Sequence, residues 1–151
     1  MNRPTERSTA PSPLIVNGFV ELAFGVLTGW VYAATKAAPD TVQSFGLRAP
    51  DRIRQWHLEL MMQGAYTVVC GLAVPHAPRW IRRSLVVGAW SSPSAFVPLA
   101  FKPELEARPA FRAAAVLANV ATSVGYEGTA AVALRRLRRR RAHPAITISA
   151  S

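Results

Sequence analysis

The sequence of 151 residues contains a single cysteine and carries a formal net charge of +10. Charged residues make up only 17% of the chain, which is low for a soluble domain. One cysteine, Cys70, excludes a disulfide framework and a pair of cysteine metal ligands. The apolar residues are bunched along the chain, and this bunching is the first indication of its class.

Four apolar windows follow one another along the chain, and each is close to the length that a helix needs to cross a bilayer. The sequence therefore predicts an all-α integral membrane four-helix bundle. A soluble all-α bundle with apolar core helices is the alternative, because the second and third windows are short enough to permit it. The predicted spans are 14–35, 58–74, 84–101 and 113–134, between an N-terminal segment, 1–13, predicted to be disordered and a basic tail, 135–151.

Two prolines, Pro93 and Pro98, lie within the third window and are predicted to kink or break it. Asp51, which follows Pro50, is predicted to be the N-cap of the helix that carries the second window.

Basic residues flank the spans unevenly. Of the 18 Lys and Arg residues, 11 lie in the three regions that four spans would place on one side of the membrane. The positive-inside rule then puts both termini in the cytoplasm and the protein in the inner or plasma membrane. The 11 residues are Arg3, Arg7, Arg79, Arg82, Arg83, Arg135, Arg136 and Arg138–Arg141.

The arginine-rich tail LRRLRRRRAHP would also suit nucleic-acid phosphates. A basic cluster directly after a long apolar helix is, however, typical of topology signals that contact anionic lipid headgroups. The sequence therefore predicts membrane lipid as a partner and no nucleic acid.

Carboxyl groups occur within two of the predicted spans. Glu21 and Glu127 each lie seven residues from the cytoplasmic end of a span, so they are expected at similar depth. If their faces meet, the two carboxyls should share a proton; otherwise each is expected to hydrogen-bond separately between helices. Gly25 and Gly29 have the G-x-x-x-G spacing that permits close approach of another helix.

The stretch WHLELMMQG opens the second span. At about 100° per residue, Trp56 and Gln63 follow one helix face, while His57 and Gly64 follow nearly the opposite one. The His57 face is therefore expected to turn away from the polar interior of its own bundle. Two interpretations stay open: His57 reaches the membrane interface, or it meets a metal or haem between subunits.

The motif HLELMMQG, the apolar helix after it, Pro75 and the sequence Gly88-Ala89-Trp90 resemble the four-span membrane isomerases. This family includes the styrene oxide isomerases and the hydroxylaminobenzene mutases, and the latter have a similar His-Leu-Glu-x-x-Met-Asn-Gly pattern. The resemblance extends from about residue 17 to residue 101.

The resemblance implies a homotrimer with haem b held between subunits and His57 as the axial ligand of the haem iron. It also implies a Lewis-acid rearrangement of a small apolar aryl epoxide or hydroxylamine, with Gln63, Trp90 and Ser92 as catalytic residues that line the site. The chain departs from the family where Gln63 and Ser92 replace asparagines. Further departures are Asn17 for a histidine, Gly88 for an aspartate and Phe96 for a tyrosine.

A function from another class also remains open. In this second hypothesis the chain is a non-enzymatic membrane scaffold that keeps the same fold, with His57 at the interface. Glu21, Tyr126 and Glu127 would then serve helix packing or a proton-linked role.

Overall fold

The computed structural model describes residues 11–142, and these residues form helices and connecting turns without a strand. The predicted all-α class is confirmed. The helices are α1 (Pro13–Ala37), α2 (Pro39–Ser44), α3 (Pro50–Ala73), α4 (Arg79–Ser94), α5 (Phe96–Phe101) and α6 (Pro109–Ala142), with a 3-10 helix at Pro103–Ala107 between α5 and α6.

Short-range signals in the sequence explain where the helices begin. The Ser12 hydroxyl accepts a hydrogen bond from the Ile15 amide and caps α1, with Pro13 at the first helical position. The helix α3 also begins at a proline, but its N-cap is Ala49. The prediction that Asp51 is the N-cap is therefore wrong. Its carboxylate lies in the first turn, where it suits the positive end of the helix dipole.

The third window is broken as its prolines predict. Pro93 lies inside α4 one residue before its end, and Ala95 separates α4 from α5, which contains Pro98. A proline has no amide hydrogen and clashes with the preceding turn, so the helix cannot continue regularly here.

Two antiparallel helix pairs make up the molecule, and glycines bring each pair close together. In the pair of α1 and α3, a Cβ added at Gly18 would lie 2.7 Å from the Gly64 carbonyl oxygen. In the pair of α4 and α6, a Cβ added at Gly125 would lie 2.5 Å from the Leu85 Cα. The predicted close approach at Gly25 is confirmed, and the partner helix is α3 through Met61.

The two ends of the bundle differ. We call the end with residues 38–49 and 102–108 the long-loop end, and the end with residues 74–78 the short-loop end. The salt bridges of residues 11–142 lie at the long-loop end, where Arg48 pairs with Glu104 and Arg52 pairs with Glu106. The short-loop end carries three arginines at the start of α4.

Large apolar side chains cover much of the exterior. Two segments of the described chain are long and apolar enough to cross a membrane, Pro13–Ala37 and Arg79–Phe101. Only 28% and 33% of their most apolar windows are buried, whereas the core helix of a soluble protein would be mostly buried. The most exposed apolar side chains on the long helices include Phe19, Leu27, Trp30, Val69, Leu72, Val87, Val116 and Leu117.

The helix α6 continues to Ala142, eight residues beyond the predicted end of the fourth span at residue 134. The first part of the basic tail is therefore helical. Residues 1–10 of the predicted disordered segment and residues 143–151 of the tail lie outside the described residues.

Candidate functional site

His57 lies half-buried in the second turn of α3 and is held by the backbone of α1. Its Nδ1 atom is 2.8 Å from the Gly25 carbonyl oxygen. Because a carbonyl oxygen can only accept, Nδ1 must carry the hydrogen and donate it. In the neutral imidazole the lone pair is then on Nε2, the nitrogen that remains available for a metal.

Neighbouring residues of α1 form the surface against which this imidazole packs. Thr28 is buried, donates its hydroxyl to the same Gly25 carbonyl at 2.7 Å, and lies 3.4 Å from His57 Nδ1. Gly29 provides the space for the ring, since a Cβ there would lie 3.1 Å from His57 Cε1. The sequence analysis did not predict this contact of His57 with α1, although the spacing of Gly25 and Gly29 was a signal for it.

The predicted orientation of the His57 face is wrong for most of its length. Gly64 and Gly71 on that face pack against α1, where added Cβ atoms would meet Leu22 and Ile15. The face closes a helix seam inside the chain because its glycines allow backbone contact, which periodicity alone does not reveal. His57 lies at the edge of this seam.

Gln63 and Trp90 each make a hydrogen bond between helices. The Tyr126 hydroxyl of α6 donates to Gln63 Oε1 at 2.6 Å. The Trp90 indole N–H of α4 donates to Asn17 Oδ1 of α1 at 2.9 Å. The Trp90 ring centroid also lies 5.9 Å from that of Phe24. Trp90 therefore contacts α1 at two positions, Asn17 and Phe24, which are two helical turns apart.

Ser92 lines a cavity of about 520 Å³ near the long-loop end, between α4, α5 and α6. Its walls are mainly apolar and include Phe96 and Phe111, while Ser92 and Asn119 provide polar groups. The Arg52 and Glu106 pair also lines it.

The predicted site residues therefore fall into separate surroundings within one chain. His57 contacts α1, Gln63 contacts α6, and Trp90 contacts α1 at Asn17. The cavity at Ser92 has no lining residue from α1 and does not include His57. Within residues 11–142 no group of three or more His, Cys, Asp or Glu side chains is placed to hold a metal ion. Any metal bound at His57 must therefore bring most of its own ligands, as haem does.

The two carboxyls of the predicted spans have different surroundings. Glu21 is fully buried, and neither of its carboxyl oxygens has a hydrogen-bond partner in the described part of the chain. Glu127 is exposed on α6. Neither expected arrangement is found, because the two carboxyls do not pair and Glu21 makes no hydrogen bond between helices. Thr67 of α3 is also fully buried, and its hydroxyl is likewise without a partner.

An unpaired carboxylate in such surroundings is very costly, so we expect Glu21 to be a neutral carboxylic acid. The infrared spectrum of the purified wild-type protein at neutral pH, with the spectrum of the Glu21→Gln variant subtracted, should contain the carbonyl-stretch band of a protonated carboxyl. The band should disappear in Glu21→Gln, which keeps the shape of the side chain, and should persist in the control Glu127→Gln. A spectrum without this band in the wild-type protein would contradict the expectation.

The chain matches no protein-family model, no curated protein and no solved structure in the comparisons made with known proteins.

Proposed function

We propose that this chain is a four-span integral membrane protein that binds haem b at His57 and isomerises a small apolar substrate. The membrane location is supported by the largely unburied apolar faces of Pro13–Ala37 and Arg79–Phe101. The helices α3 and α6 pack beside these two segments and also expose large apolar side chains, such as Tyr66 and Leu117. Such faces favour a hydrocarbon surrounding for all four long helices.

The basic residues at the two ends of the bundle support an orientation of the chain across the membrane. At the long-loop end, Arg48 and Arg52 are paired with glutamates. At the short-loop end, Arg79, Arg82 and Arg83 have no such partner among the described residues. The positive-inside rule counts Lys and Arg residues, and nine of the 16 in the described chain lie at the short-loop end, so the proposal places both termini in the cytoplasm.

The hydrogen bond from His57 Nδ1 to the Gly25 carbonyl carries the haem proposal. Histidines that bind metals commonly donate their second ring nitrogen to a carbonyl or carboxylate, which fixes the tautomer and the orientation of the ring. A single histidine suffices for haem, because the porphyrin supplies the equatorial ligands. His57 Nε2 is the atom that would bind the iron.

The position of the cavity favours an oligomer. His57 borders α1, whereas the Ser92 cavity borders α4, α5 and α6. Cyclic oligomers of three or more chains join two different faces of each chain, so in such a ring His57 of one chain can adjoin the cavity of the next. This arrangement agrees with the trimer that the family resemblance implies.

The proposed chemistry divides between the haem and the chain. When held by His57, ferric haem would supply a Lewis acid for the oxygen of an epoxide or hydroxylamine. The apolar part of the cavity wall, with Phe96 and Phe111, binds an aryl group, and Ser92 and Asn119 orient the polar end of the substrate by hydrogen bonding. Gln63 and Trp90 hold the helices around the site through Tyr126 and Asn17.

Absorption spectroscopy tests the proposal directly. The protein is expressed with haem available, purified in mild detergent and compared with His57→Ala and with the control His76→Ala, whose histidine lies exposed in the short loop. We expect a Soret band in the wild type and in the control but not in His57→Ala. A folded wild-type protein without the band contradicts haem binding and leaves a membrane scaffold as the function. If the band is present, aryl epoxides and arylhydroxylamines are the substrates to assay.

A further inference from the structure

A pocket of about 370 Å³ at the short-loop end has an unusual lining. Arg79, Arg82 and Arg83 line one part of it, and Val86 and Val87 of the same helix line another. Pro13, at the start of α1, completes it. Three arginines and two valines of α4 therefore share one surface, which the hydrocarbon parts of the arginine side chains help to form.

The charge of this pocket is not neutralised within the described chain. The salt bridges of residues 11–142 involve Arg48 and Arg52, so the three pocket arginines have no acidic partner there. Arg82 Nε is buried without a hydrogen-bond partner. The guanidinium groups of three arginines without an acidic partner favour an anionic oxygen nearby.

The backbone adds further donors at the same place. Helix α4 begins after Pro78, which has no side-chain cap, and its first turn holds no acidic residue. The amides of the first turn are thus left without a side-chain acceptor, and the helix dipole favours an anion there. Trp80 in this turn is exposed, as is common for tryptophans at the headgroup level of a bilayer.

We propose that this pocket is a binding site for an anionic phospholipid. The headgroup phosphate contacts Arg79, Arg82 and Arg83, and an acyl chain lies along Val86 and the exposed Val87. The apolar wall distinguishes a lipid from a free phosphate ion, because inorganic phosphate has nothing to place against the valines. The inference rests on the proposed membrane location but not on haem binding.

Native mass spectrometry in detergent micelles tests the site with two lipids of identical acyl chains, phosphatidylglycerol and phosphatidylcholine. The wild-type protein is expected to prefer phosphatidylglycerol by about tenfold, since several arginines close to one headgroup contribute together. The triple variant Arg79→Gln, Arg82→Gln, Arg83→Gln should lose this preference. The control replaces Arg139, Arg140 and Arg141 by Gln, which removes the same charge from the end of α6, and it should keep the preference.

Each other outcome overturns the proposal. Equal binding of both lipids by the wild type excludes a specific site, and a loss of preference in both triple variants indicates a general charge effect. Displacement of the lipid by excess inorganic phosphate alone shows a simple anion site. If the pocket triple variant does not fold, Arg82→Gln replaces it and should weaken the preference several-fold. A protein that stays soluble without detergent contradicts the membrane location itself, whereas a detergent-dependent protein without lipid preference contradicts only this site.

Discussion

Replacing Gly125 by alanine is expected to destabilise the bundle markedly. The new Cβ would lie 2.5 Å from the Leu85 Cα and 2.7 Å from its backbone nitrogen, so the backbones of α4 and α6 must separate. Overpacking of this kind costs about 3 kcal/mol, and the better helix propensity of alanine offsets about 1 kcal/mol. The net loss of about 2 kcal/mol should lower Tm by roughly 4–8 °C. Thermal melts followed by circular dichroism in detergent measure this change.

The matched control is Gly128→Ala, one turn further along the same helix. Its Cβ would meet only side-chain atoms of Ile81, at 3.0–3.2 Å, and these can move by a few tenths of an ångström. We expect Tm to change little, because the gain in helix propensity offsets the tighter packing. Equal losses of Tm in the two variants would contradict the close backbone contact at Gly125.

Replacing Gly29 by leucine is expected to weaken the proposed haem binding by about tenfold or more while His57 itself is retained. Even a Cβ at this position lies 3.1 Å from Cε1 and 3.4 Å from Nδ1 of the imidazole, so a larger side chain must displace the ring. The hydrogen bond from Nδ1 to the Gly25 carbonyl is then lost. Loss of such a partner commonly costs 10-fold to 100-fold in metal affinity, so haem titration should give a Kd raised by about tenfold or more.

The control for this variant is Ala33→Leu, one turn further along α1 at an exposed position. It introduces the same leucine side chain at an exposed position, and its haem affinity should equal that of the wild type. Wild-type haem affinity in Gly29→Leu would show that the contact with α1 does not orient His57.

The fold was predictable from the sequence where the signal was local. The apolar windows predict the long helices, and Pro93 predicts the break between α4 and α5. The pairing of helices was less accessible, because apolar residues surround these helices and a face that packs against a helix resembles one that faces lipid. For this reason the face of α3 that carries His57 and Gly64 was predicted to point outward, although Gly64 packs against Gly18.

For the candidate site, the sequence predicted individual residues but not their partners or their orientation. The motif WHLELMMQG singles out His57, but its partner is the backbone carbonyl of Gly25, which any residue could supply. The similar depth predicted for Glu21 and Glu127 rests on the predicted topology, and in the structure one side chain is buried and the other exposed. Depth follows from position in a span, whereas orientation depends on the rotation of each helix against its neighbours.

The most direct test of the account is the topology of the four proposed spans. Cys70 is the only cysteine, so a Cys70→Ser background permits single cysteines at Thr41 and Lys102 of the long-loop end and at His76 of the short-loop end. In intact cells a membrane-impermeant maleimide should label the Thr41→Cys and Lys102→Cys variants, and it should label His76→Cys only after permeabilisation. Labelling of His76→Cys in intact cells, or recovery of the protein in the soluble fraction, would contradict a four-span protein with cytoplasmic termini.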